Sequence, residues 1–389
     1  MLDLLWFLLP VAAASGWWAA KRDYTGSEQA RTSSAEYVKG LNYLLDDKPD
    51  QAIEVFVRMV EVDRDTAETH LALGNLFRRR GEVDRAIPIH RNLIARTALT
   101  SEQRSRAMLE LGEDYMRAGL FDRAETLFRE LVEQPEHMAV ALARLVDIYE
   151  QEKDWRQAIA HCDRLEKMTS QSRKVETAHY CCELAEEALR RNESGEAQEL
   201  LRQALVRDPN CARASMLRGR MAMTDSNYAA AIVAFQAVEH QSRSYFSEVI
   251  PPLGQCHGAL GRQAELIEYL RDVQGRDHTG RVTDALAELL LQQEGEEAVM
   301  LFLETELQNY PTLLGMRRLV ELKLARSQGA NHSDLDTLYR ISRHLLDGTA
   351  RYKCDNCGFV GKFLHWCCPS CKKWSSVKPI PDLVIRNNT

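Results

Sequence analysis

Near its C-terminus the chain reads YKCDNCGFVGKFLHWCCPSCKKW. Cys354, Cys357, Cys368 and Cys371 there form two Cys-x-x-Cys pairs, ten residues apart. Four thiolates at this spacing make the tetrahedral donor set that zinc or a single iron ion prefers. The two-residue spacers let backbone N–H groups point at the sulfurs and spread their charge. Gly358 follows the first pair, where a tight turn calls for positive φ, and Pro369 stiffens the second. Cys367 adjoins the second pair, but it would need a three-residue spacer to reach Cys371, so Cys368 is the expected ligand. The expected cofactor is one metal ion, iron or zinc. The other five cysteines (Cys162, Cys181, Cys182, Cys211 and Cys256) are scattered, and they read as ordinary helix residues rather than a disulfide framework.

The elements that must carry this centre show an internal period. Gly40 and Gly74 are 34 residues apart, as are Ala52 and Ala86. Each glycine is followed three positions later by an aromatic residue (Tyr43, Phe77, and Tyr115 after Gly112). Ala52, Ala86 and Ala124 come twelve positions after the glycines, and Phe56, His90 and Phe128 four further on. The pattern predicts hairpins of two antiparallel helices. Small residues on both helices allow close approach, and large ones fill the gaps. Asp84 and Asp122 are expected in the turns before the second helices, where a carboxylate suits the positive helix end. A hairpin cannot bury its own apolar face, so neighbours stack. About eight units are expected over residues 35–310, weaker around 175–205 and after 255. A four-residue insertion is expected near Thr97–Glu102, and two capping helices over 312–347.

Composition fits this frame. Of 389 residues 45% are hydrophobic but only 7% aromatic, and the net charge of −7 gives no reason to expect a nucleic-acid partner. Leu4–Ala20 holds no charged residue and is followed at once by Lys21 and Arg22. Seventeen helical residues reach roughly 26 Å, close to a ~30 Å hydrocarbon core. The flanking cations place the bulk of the chain on the cytoplasmic side and the N-terminus outside. The expected division is a transmembrane anchor (1–20), a linker (21–34), an all-α repeat solenoid with capping helices (35–348) and a metal-binding domain (349–389). The last stretch is locally basic and aromatic, and Phe359, Phe363, Trp366 and Trp374 are candidates to pack it on the array or on a partner. No Ser/His/Asp, phosphate-loop or zinc-protease motif is present, so the reading is a scaffold, not an enzyme.

Residues 35–310 resemble the tetratricopeptide repeat family. That resemblance implies a superhelical groove lined by the first helix of each hairpin, with Asn42, Asn75 and Arg78 as partner-binding candidates. The cysteine segment resembles rubredoxin-type and zinc-ribbon knuckles, with a shorter loop and with Lys372 where rubredoxins place a second glycine. Anchor, repeats and knuckle in this order, with LLWFLLPVAAASGWW, LGNLFRRRGEVDRAI and CPSCKKWSSVKPI, resemble the lipopolysaccharide assembly protein B family of Gram-negative bacteria. The resemblance implies an inner-membrane adaptor that brings the lipid A-committing deacetylase to a membrane-anchored AAA+ zinc protease. It also implies links to an inner-membrane lipopolysaccharide sensor and to transport proteins. Alternatives are a general platform for lipopolysaccharide synthesis without a proteolytic role, an iron-binding redox module, and a peptide-binding co-chaperone.

Overall fold

A computed structural model describes residues 36–380, apart from positions 44, 47, 63–66, 97–98, 277, 329 and 349. The segments expected to form the anchor and linker, 1–20 and 21–34, lie outside the described residues. Among the described residues no helix is long and apolar enough to cross a membrane. The chain divides into two compact units between Ser170 and Gln171.

Among the described residues the first unit contains four hairpins: α1 (residues 36–43) with α2 (Pro49–Val62), α3 (Ala67–Arg79) with α4 (Val83–Ile94), α5 (Ser101–Ala118) with α6 (Phe121–Leu131), and α7 (Met138–Glu152) with α8 (Trp155–Thr169). The second unit continues with α9 (Lys174–Arg190) and α10 (Ser194–Arg207), then α11 (Ala212–Thr224) and α12 (Tyr228–Gln241). The short α13 (Arg243–Phe246) precedes α14 (Ile250–Ala259) and α15 (Gln263–Arg276). The helices end with α16 (Gly280–Gln293) and α17 (Glu296–Asn309), then α18 (Leu313–Arg326) and α19 (Ala330–Gly348). A three-stranded sheet follows: β1 (Tyr352–Cys354), β2 (Val360–Gly361) and β3 (Val377–Pro379), in the order β2-β1-β3 and antiparallel throughout.

The period seen in the sequence has a direct steric cause. A Cβ built on Gly40, Gly74, Gly112 or Gly219 would lie under 3.0 Å from ring atoms of Phe56, His90, Phe128 or Phe235 respectively. Each glycine of a first helix is thus the seat of a ring sixteen residues further on, on the second helix. The alanine four positions before each ring (Ala52, Ala86, Ala124 and Ala231) is fully buried, which brings the backbones together. The four extra residues between Gly74 and Gly112 lengthen α5 ahead of its glycine, and Thr100 closes its N-terminus with a capping box to Gln103.

The turns inside the hairpins are also one repeated device. Gly81, Gly119, Lys153, Asn192, Ser226 and Gly261 all have left-handed φ between first and second helix. The next residue's N–H bonds five residues back in every case (Glu82 to Phe77, Leu120 to Tyr115, Asp154 to Tyr149, Glu193 to Ala188, Asn227 to Ala222, Arg262 to His257). That is the Schellman closure of a helix C-terminus. Asp84 and Asp122 fall inside the first turns of α4 and α6 rather than before them. The side-chain caps occur instead at Asp154 and Asn227, which accept from the N–H groups of Gln157 and Ala230.

His90 is the polar exception among the seated rings. It is fully buried, and its Nδ1 lies 2.6 Å from Oδ2 of the fully buried Asp114. Arg78 donates to Asp114 Oδ1 at 2.9 Å and to Glu110 Oε2 at 2.6 Å. The cluster ties α3, α4 and α5 together, and it satisfies a ring nitrogen that phenylalanine would not carry.

Alanine at Gly219 is expected to lower stability by about 1–3 kcal/mol, the usual cost of overpacking. Alanine at Gly254, whose Cβ would meet nothing within 4 Å, is expected to raise it by about 0.5–1 kcal/mol. Urea unfolding of the two variants checks the contrast, and equal effects would contradict the seating account.

Candidate metal centre and partner groove

The two cysteine loops are built alike. Cys354 N–H bonds to the Phe359 carbonyl at 2.7 Å, and Gly358 N–H returns to the Cys354 carbonyl at 3.0 Å. In the second loop Cys368 N–H bonds to the Lys373 carbonyl at 3.1 Å, and Lys372 N–H to the Cys368 carbonyl at 2.9 Å. Gly358 and Lys372 occupy matching positions with φ of 77° and 58°. Lys372 therefore adopts the left-handed backbone of the glycine it replaces, at a cost of about 1–2 kcal/mol.

This pairing of loops brings the four sulfurs of Cys354, Cys357, Cys368 and Cys371 within 4.8 Å of one another. Cys354 Sγ and Cys371 Sγ are 3.7 Å apart, as are Cys357 Sγ and Cys368 Sγ. A tetrahedron with bonds of about 2.3 Å has edges of about 3.8 Å, so the donor set fits one four-coordinate ion. Cys367 faces elsewhere: its Sγ lies 3.4 Å from the Lys372 carbonyl. Ser376 Oγ lies 3.3 Å from Cys354 Sγ. That hydroxyl, with the backbone N–H groups of Cys357 and Asn356, pulls the Cys354 thiol below its ordinary range and so favours the ligating thiolate. The thiolate set accommodates iron or zinc. Iron there would supply one-electron exchange, and zinc a purely structural cross-link.

The knuckle has little core of its own: Tyr352, Cys354, Cys368 and Val377, with Phe359 and Leu364 against them. It is docked instead on helices of its own unit through the two tryptophans. Trp374 stacks on His179 of α9 at 5.1 Å between ring centroids and meets Tyr180 edge-on at 5.7 Å. Trp366 lies 4.9 Å from Tyr245 of α13 and 5.7 Å from His179, with the Arg213 guanidinium 5.9 Å from its ring. Tyr245 donates its hydroxyl to the Val377 carbonyl at 2.9 Å, and His179 Nε2 lies 2.8 Å from Ser375 Oγ. Burial, then the nearby Arg213 charge, hold the His179 imidazole down to about 3, so it packs as a neutral ring. The buried Arg213 of α11 is neutralised by Glu183 at 2.8 Å and Glu186 at 2.9 Å on α9. Of the four aromatics proposed for packing, Trp366 and Trp374 face the helices, Phe359 joins the knuckle core and Phe363 is 76% exposed.

His179, Arg213 and Tyr245 carry no sequence signal of this role. Only Tyr245 sits at a visible irregularity, in α13 just before Pro251 and Pro252, which open α14. These prolines break what would be one long first helix and leave the short α13 beside β3.

The three partner candidates lie in the first unit. Asn42 is exposed on α1. Arg78 is folded onto Glu110 and Asp114. Asn75 lines a cavity of about 200 Å³ whose walls include Tyr37 of α1, Glu68, Leu71, Leu76 and Arg79 of α3, and Arg106 of α5; the Glu68 carboxylate accepts from Gln103. These all belong to first helices of consecutive hairpins. The Asn75 Oδ1 is buried there with no hydrogen-bond partner among the described residues. Arg106, absent from the sequence reading, completes the cationic side of the cavity with Arg79.

Removing the metal with a chelator, or replacing Cys357 with serine, is expected to unfold residues 352–379 and release Trp366 and Trp374 to water. Tryptophan emission should shift to the red before the helices melt in circular dichroism. An unchanged emission spectrum in metal-free protein would contradict a metal-held knuckle.

The tetratricopeptide repeat family matches residues 69–105, 109–173 and 182–245, and the rubredoxin metal binding domain family matches residues 352–379. Lipopolysaccharide assembly protein B of Escherichia coli (strain K12) is 39% identical over 387 residues, covering 98% of this chain and 99% of that one. The Haemophilus influenzae protein of the same name is 34% identical over 393 residues, again covering 98% and 99%. Repeats, knuckle and full-length identity agree, and the chain belongs to the lipopolysaccharide assembly protein B family.

Proposed function

We propose that the protein is a membrane-held adaptor in lipopolysaccharide assembly that delivers the lipid A-committing deacetylase to a membrane-anchored AAA+ zinc protease. The first-unit groove would hold a partner segment, and Leu4–Ala20 would confine the encounter to the inner membrane, with the bulk of the chain cytoplasmic. Confinement raises effective concentration without further contact chemistry. The family name supports a place in lipopolysaccharide assembly. The observation that carries the adaptor reading is the cavity across α1, α3 and α5. A buried amide oxygen there awaits a donor, and Arg79 and Arg106 supply two cations against the one Glu68 carboxylate, over the apolar Leu71 and Leu76. An extended acidic segment meets each requirement: its backbone N–H satisfies Asn75, its carboxylates pair with the arginines and an apolar side chain covers the leucines.

Links to an inner-membrane lipopolysaccharide sensor and to transport proteins remain part of this reading, carried by other surfaces of the same scaffold. The knuckle's part is to secure the end of the second unit, with iron or zinc as its ion.

Binding of the deacetylase to the purified full chain tests the groove. Asn75→Ala combined with Arg79→Glu and Arg106→Glu is expected to weaken it at least ~10-fold, in the range of hot-spot losses. Helix content and melting should be unchanged, because Arg79 and Arg106 are exposed. Undiminished binding by the folded triple variant would rule out the groove as the docking site.

A further inference from the structure

The knuckle turns its tryptophans to the helices and leaves a second face open. Strand register defines that face. Lys353 of β1 stands opposite Val360 of β2 on one side and Lys378 of β3 on the other. Along β1 the side chains alternate, with Tyr352 and Cys354 buried and Lys353 exposed, so this row lies on the outer side of the sheet. Arg351 precedes the row, and Lys362 and Phe363 follow β2, all three exposed. Val360 is 54% exposed and Phe363 76%. Arg351, Lys353 and Lys362 make no ion pair among the described residues, and Lys378 is paired with Asp355 at 3.3 Å. A face with net positive charge therefore carries the protruding Val360, with the exposed Phe363 just past the end of β2, in a chain whose total charge is −7.

We propose that this face rests on an anionic lipid surface, with Phe363 and Val360 entering the headgroup layer and Arg351, Lys353 and Lys362 on the lipid phosphates. The inference rests on the reading of the chain as membrane-held. Size favours lipid over protein. Strands of three, two and three residues offer far less than the about 800 Å² that each partner gives to a stable protein interface. A lipid surface asks only for a few cations and one or two inserted side chains, provided another element already keeps the domain nearby. The knuckle would then act as a second contact that sets how the helices above it lean over the membrane.

The test uses the full chain reconstituted with vesicles of phosphatidylcholine alone, or with about one-third phosphatidylglycerol, and reads amide hydrogen exchange by mass spectrometry. On anionic vesicles, exchange over residues 351–363 is expected to slow roughly fivefold relative to neutral ones, and the difference to vanish in ~0.5 M salt. Phe363→Ser and, separately, Lys353→Glu with Lys362→Glu should each abolish it, while exchange over 366–379, the docked side, stays as in wild type. Equal protection on both vesicle types would overturn the proposal, as would protection that arises only when a soluble acidic protein is added. A chain that floats with both vesicle types yet shows no protection refutes the lipid face and leaves the anchor standing. A chain that floats with neither vesicle type refutes the anchor, and with it the lipid face that depends on the anchor.

Discussion

The constraint on which the rest of the structure depends is the missing Cβ at one point of four of the first helices. Gly40, Gly74, Gly112 and Gly219 accept a ring from the second helix at a distance no other residue permits. Once a ring is seated, the crossing of the two helices is fixed, and the next hairpin inherits a defined surface on which to stack. The left-handed turn residues serve the same end, since a chain that turns in a fixed way returns with its alanine facing the glycine. Repetition of one local geometry is what brings first helices side by side, and the partner groove lies across three of them.

The metal centre shows the opposite economy. A segment of under thirty residues buries only a handful of side chains, too few for independent stability. Metal ligation closes it internally, and the Trp366–Trp374 pair fastens it to α9 and α13. The polar groups at that contact leave no buried cation unpaired: His179 is neutral, and Arg213 is held by two glutamates. Loss of the ion would therefore loosen the knuckle and uncover a helical surface shaped for it.

Much of this was legible in the chain. The glycine–alanine–ring spacing encodes the hairpins because it encodes a contact, and Cys-x-x-Cys encodes a metal loop because its own backbone closes it. The role of Lys372 was visible as an absent glycine, and its left-handed φ follows from the symmetry of the two loops. Long-range partners were not legible. Arg78 looks like a groove cation in sequence, but the histidine at position 90 requires Asp114, and Asp114 draws Arg78 inward. His179, Arg213 and Tyr245 are unexceptional helix residues until the knuckle is folded against them. The seventh hairpin departs from the pattern because Pro251 and Pro252 restart the helix, and only the fold shows that the resulting α13 abuts β3.

The most direct test of the adaptor account is the half-life of the lipid A-committing deacetylase in cells with and without this protein. The account predicts that depletion lengthens the half-life, and does so only while the AAA+ protease is present. An unchanged half-life in depleted cells that retain the protease would contradict it.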